Sequence, residues 1–116
     1  MKRAVLYYRS SWEPAYIHMQ SKSGWDTAAL HKCQDHYGWQ TIEILIPPGG
    51  RQFVLTDGHG KWDNPAPYCR RKSGKNYFLN TGGRYAIFKG ELVRIRRRGY
   101  PILLVSDIDG TLIERN

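Results

Sequence analysis

A chain of 116 residues can bury one core but cannot hold a complete second domain beside it. Its uninterrupted apolar runs, such as residues 102–105, are far below the roughly 20 residues of a membrane-spanning helix, so no membrane partner is expected. The net charge of +8 raises nucleic acid as a partner, yet much of it sits in Arg70-Arg71-Lys72-Ser73-Gly74-Lys75 and Arg94-Ile95-Arg96-Arg97-Arg98, and charge alternating with Val93 and Ile95 is more simply the solvated face of a strand.

In chain order, Met1-Lys2-Arg3 leads into Ala4-Val5-Leu6-Tyr7-Tyr8-Arg9 without the longer apolar stretch or cleavage site of a secretory signal, so 4–9 is predicted as a first strand. The expected location is therefore intracellular, in the cytosol or the stroma of a plastid or other organelle. After Ser10-Ser11 comes 15–20, where two-residue alternation sends Ala15, Ile17 and Met19 inward and Tyr16, His18 and Gln20 outward. Residues 28–36 combine helix formers without Gly or Pro, but they are few and uncapped, and a loop with at most one helical turn is expected. In 39–46, Ile42, Ile44 and Ile46 share the buried side, opposite Thr41, Glu43 and Leu45. Further strands are predicted at 51–57, 76–79, 83–88 and 91–97, separated by Pro47-Pro48-Gly49-Gly50, Asp57-Gly58-His59-Gly60 and Thr81-Gly82-Gly83, all residues that accept tight turns. About seven short runs dense in β-branched and aromatic residues predict an all-β, antiparallel sandwich.

Gly99-Tyr100-Pro101 breaks this pattern, which divides the chain into a module, 1–99, and a separate segment, 100–116. Ile102-Leu103-Leu104-Val105-Ser106-Asp107-Ile108-Asp109-Gly110-Thr111 has the apolar continuity of a parallel strand buried on both faces. It resembles the first strand and nucleophile motif of the haloacid dehalogenase superfamily. That resemblance implies Asp107 as nucleophile and Asp109 as general acid/base of a magnesium-dependent phosphatase. Only seven residues follow Asp109, too few for the remaining lysine, aspartates and strands, so the segment is read as the threshold of a phosphatase domain and no catalysis is expected of this chain. Cys33 and Cys69 lie in no Cys-x-x-Cys motif and are expected as free thiols, with a disulfide between them left open. The four histidines lack zinc-ligand spacing, and neither a metal nor a cofactor is expected.

The most specific chemistry lies in Trp62-Asp63-Asn64, with His18 and Trp25 upstream. A neutral sugar is held by flat rings against its C–H faces and by amide, carboxylate or amine groups on its hydroxyls. Asn64, Lys75 and Asn76 are the expected hydroxyl partners. Asp57 and Asp63 are expected to brace the Gly-rich loop through bonds to backbone N–H groups, and Trp12 and Trp39 to pack. Taken in order, Tyr7-Tyr8, Trp12, Ala15-Tyr16-Ile17-His18, Gly24-Trp25, Phe53 through Asp57-Gly58, Gly60-Lys61-Trp62-Asp63-Asn64, Lys75-Asn76-Tyr77 and Gly83-Arg84-Tyr85 resemble the starch-binding carbohydrate-binding modules of families 25 and 53. The resemblance implies an immunoglobulin-like, non-catalytic sandwich that binds starch, glycogen or maltooligosaccharides on a platform of His18, Trp25 and Trp62. The chain departs from that pattern at 65–73, a longer, proline-containing cationic insertion. The expected function is thus an α-glucan-binding module that directs an appended phosphatase domain to polysaccharide. The competing readings are a phosphatase fragment and a basic nucleic-acid-binding domain, and the oligomeric state stays open.

Overall fold

The computed structural model describes residues 1–34, 37–65 and 75–95. Among them are ten strands and no helix: β1 Lys2–Arg9, β2 Tyr16–Ser21, β3 Gly24–Ala29, β4 His31–Lys32, β5 Trp39–Ile46, β6 Arg51–Thr56, β7 Trp62–Asp63, β8 Tyr77–Leu79, β9 Gly83–Phe88 and β10 Glu91–Ile95. No helix long and apolar enough to cross a membrane occurs among these residues.

Alternation sorts the strands into two sheets that share one core. The first has the order β10-β9-β1-β5-β4, and the second β3-β2-β6-β7, with β8 also paired to β6. Leu6 and Ile87 from the first sheet meet Ile17, Phe53 and Leu55 from the second, all five at 0% exposure. Ile44 and Ile46 join them, whereas Ile42 only packs partly buried at the margin. Phe53 stacks on Tyr77, with centroids 5.5 Å apart. Gln40 is the buried polar exception on the inner face of β5. Its Oε1 accepts from Ala15 N at 2.9 Å and its Nε2 donates to Trp12 O at 2.6 Å, so its amide is satisfied at both ends and ties the entry to β2 onto the first sheet.

The all-β sandwich stands, with three corrections to its detail. There are more strands than the seven expected. Residues 28–32 form no helical turn: Ala28 and Ala29 pair with Ile17 and Tyr16 in β3, and His31 and Lys32 pair with β5. Cross-strand hydrogen bonds outweigh the few tenths of a kcal/mol per residue by which Ala and Leu favour a helix. The pairing is also mixed, because β1 runs parallel to β9 from Ala4↔Gly83 to Tyr8↔Ile87. Cys33 carries a free thiol. Cys69, the insertion from 66 onward with its cations, Arg96 to Arg98, the boundary at 99/100, Asp107 and Asp109 lie outside the described residues.

The outer face of the first sheet carries its own cluster. Trp39, Ala86 and Ile95 are buried there with Tyr7, Cys33 and Phe88 packed around them. The Arg9 guanidinium lies 5.8 Å from the Trp39 ring and 5.9 Å from the Phe88 ring. Trp39 is thus a packing residue, as is Trp12, which packs against the main core beside Tyr8.

Candidate functional site

The outer face of the second sheet is assembled by register. His18 on β2 is partnered by Thr27 on β3 and Val54 on β6. Thr56, two residues on from Val54, is partnered by Trp62 on β7. Trp25 lies two residues before Thr27 in the same hairpin and therefore on the same face as His18. The three rings meet above the sheet. His18 and Trp25 are stacked, with centroids 5.1 Å apart and planes at 11°, and Trp62 presents itself at 62° to His18 at 5.4 Å. Val54 and Thr56 are only 5% and 3% exposed although they point away from the main core, which makes them the floor of this ring cluster. Above it, Trp25 is 41% and Trp62 52% exposed. Two half-exposed indoles held at an angle around an imidazole form a bent apolar surface open to solvent.

The orientation of each ring is fixed locally. His18 Nδ1 lies 2.8 Å from Thr27 Oγ1, and a hydroxyl can donate or accept, so either tautomer keeps the ring in place. Trp62 follows a tightly bonded loop. Asp57 Oδ1 accepts from His59 N at 2.7 Å and from Lys61 N at 3.1 Å, while Thr56 Oγ1 donates to Lys61 O at 2.7 Å and accepts from Gly58 N at 3.0 Å. The bond from His59 N, reinforced by that from Lys61 N, holds the Asp57 carboxyl below the ordinary carboxylate range. Gly58 has φ +81°, and a Cβ there would meet Tyr16 Cε1 at 2.9 Å, so both backbone conformation and the neighbouring ring demand glycine.

Asp63 does something other than bond backbone N–H groups. Its Oδ2 accepts from Tyr8 OH at 2.5 Å and its Oδ1 from Tyr77 OH at 2.9 Å. Tyr8 and Tyr77 are each 2% exposed. The carboxylate next to Trp62 therefore reaches through the sandwich to β1 of the opposite sheet and along its own sheet to β8. Residues 55 positions apart meet here, which no local pattern reveals.

The polar residues on the rim are spread more widely. Asn64 Nδ2 donates to Lys75 O at 2.8 Å, so its amide ties residue 64 to the backbone at residue 75. Asn76 Nδ2 donates to Gln52 Oε1 at 2.8 Å. The Lys75 side chain is exposed. Among the described residues no cluster of three or more His, Cys, Asp or Glu is placed to hold a metal.

Burial raises the Tyr8 phenol well above its ordinary value of 10.0, and the bond to the Asp63 carboxylate raises it further. The unfolded chain therefore loses this proton first as pH rises. The stability it contributes is complete below about pH 10 and is lost progressively above it, as the pH climbs toward the folded-state value. Denaturation midpoints should be level to about pH 9 and fall above pH 10, and the slope of that fall should be shallower in Tyr8→Phe.

No protein-family model and no curated protein matches the chain. Solved structures do resemble it. One is the iodinated CBM25 from Bacillus halodurans amylase in complex with maltotetraose, with a TM-score of 0.61 and 22% identity over 84% of this chain and 100% of that one. Another is the CBM25-2 of the beta/alpha-amylase from Paenibacillus polymyxa, with a TM-score of 0.58 and 20% identity over 84% of this chain and 96% of that one. At these identities the likeness establishes the fold, a sandwich of the CBM25 kind.

Proposed function

We propose that this chain is a non-catalytic module that binds α-glucans, with His18, Trp25 and Trp62 as its stacking platform and with Asn64, Lys75 and Asn76 on its polar rim. The observation that carries the reading is the angle between rings: Trp25 lies flat on His18 at 11° while Trp62 stands at 62° to it. An α-glucan curves, so rings set at an angle follow consecutive sugars, whereas the flat ribbon of cellulose suits coplanar rings. The likeness of fold to a CBM25 in complex with maltotetraose supports the same class of ligand. Stacking on exposed indoles needs no charge, and binding on this platform should hardly change with salt, whereas a polyanion held by the basic residues would be released.

The test is retention on immobilised amylose, glycogen and cellulose at low and high salt. Retention by the two α-glucans alone, insensitive to salt, is the expected result. Binding to cellulose, or binding abolished by salt, overturns the reading.

The proposal extends to the segment 100–116, where the resemblance of Asp107 and Asp109 to a phosphatase motif supports a module that delivers a phosphatase domain to polysaccharide. Even a weak, shallow site serves that role, because a tether converts repeated encounters on a polymer into a high effective concentration.

A further inference from the structure

We infer that Gln52 contacts the bound sugar directly, its amide Nε2 donating to a hydroxyl of the residue stacked beside His18. This rests on the α-glucan reading and adds a contact that neither aromatic spacing nor the rim residues supply. The placement follows from parity. Phe53 and Leu55 on β6 are in the core at 0% exposure, so Gln52 and Val54 point to the opposite face. Val54 is the direct cross-strand partner of His18. Gln52 is consequently the diagonal neighbour of His18 on the platform, at about 7–8 Å between backbones, within reach of a long side chain.

The amide is also pre-oriented. Asn76 Nδ2 donates to Gln52 Oε1 at 2.8 Å, which turns Nε2 away from Asn76, and among the described residues Gln52 Nε2 has no hydrogen-bond partner. Gln52 is half-buried, so a ligand over His18 covers a donor already held in one orientation, sparing the entropy of freezing it. The chemistry completes that of the rings. Indole faces hold sugar C–H surfaces but slide along them, and a fixed donor at the edge selects one hydroxyl and so the position of the chain on the platform. A lone glutamine in a strand announces nothing in a sequence, and only the register of β2 with β6 brings it here.

The experiment is a titration of the isotopically labelled full chain with maltotetraose, followed by heteronuclear NMR. The Gln52 side-chain NH2 pair is assigned in the unaltered chain by through-bond correlation to its own side-chain carbons. It is expected to shift together with the indole N–H signals of Trp25 and Trp62, and Gln52→Met, similar in length but without polar atoms, is expected to bind maltotetraose about tenfold more weakly. If the indole signals shift while the Gln52 pair stays still, this inference is overturned and the platform remains. If no signal moves at any maltotetraose concentration, the α-glucan reading itself falls. The NMR arm uses the unaltered chain, so it decides the matter even where Gln52→Met fails to fold.

Discussion

Truncation of Trp62 to alanine is expected to weaken maltotetraose binding by about 1–3 kcal/mol, roughly 5- to 150-fold, while the melting temperature barely changes. Truncation of Trp25 should do the same. Both follow from exposure, since Trp62 keeps 52% and Trp25 41% of its surface in water, and little of either ring is committed to holding the sandwich together. Trp39 supplies the contrast. At 2% exposure its truncation should cost about 3–5 kcal/mol of stability, and in whatever fraction stays folded it should leave sugar affinity alone. Calorimetric titration and thermal unfolding of the three variants separate the two behaviours. If Trp62→Ala unfolds and Trp62→Phe restores both fold and full affinity, the indole is a structural cap and the platform assignment fails.

Asp63→Ala should have a larger effect on stability than truncation of its neighbour Trp62. It removes the carboxylate that accepts from two phenol hydroxyls, Tyr8 OH and Tyr77 OH, in residues that are each 2% exposed. At about 1–3 kcal/mol for each buried donor that loses its carboxylate acceptor, the loss is about 2–6 kcal/mol, a fall in melting temperature of roughly 10–30 °C. Asp63→Asn retains one acceptor oxygen and should lose less. Because Asp63 adjoins Trp62 on a strand of two residues, the alanine variant should also bind sugar more weakly at temperatures where it is still folded. An unchanged melting temperature would show that water replaces the carboxylate at no cost and that the bonds to Tyr8 and Tyr77 hold nothing in place.

These two residues mark what sequence can and cannot reveal. Runs dense in β-branched and aromatic residues between turn-forming residues announce themselves, so the expected 39–46 and 83–88 coincide with β5 and β9. β3 escapes the pattern because both of its faces are largely exposed, with Gly24, Trp25, Asp26 and Thr27 all among the exposed residues, and an edge strand with no dry face has no period to display. β4 and β7 have only two residues each, too few for any period. At the site, the rings of His18, Trp25 and Trp62 can be grouped from residue type and meet within 5.4 Å. The partners of Asp63 and the position of Gln52 could not be foreseen, because they depend on which strands lie side by side.

The parallel pairing of β1 with β9 has a consequence for how the chain reaches this structure. β1, the first strand of the sandwich in chain order, sits in the middle of its sheet, between β5 at 39–46 and β9 at 83–88. The apolar side of β1 carries Ala4 and Leu6, both at 0% exposure in the finished sandwich. On the ribosome that side must wait, half-covered, until residue 88 has emerged, whereas β2 and β3 can zip into a hairpin almost at once. Closure of so long a loop is entropically slow, which places folding in the millisecond-to-second regime of chains dominated by distant contacts.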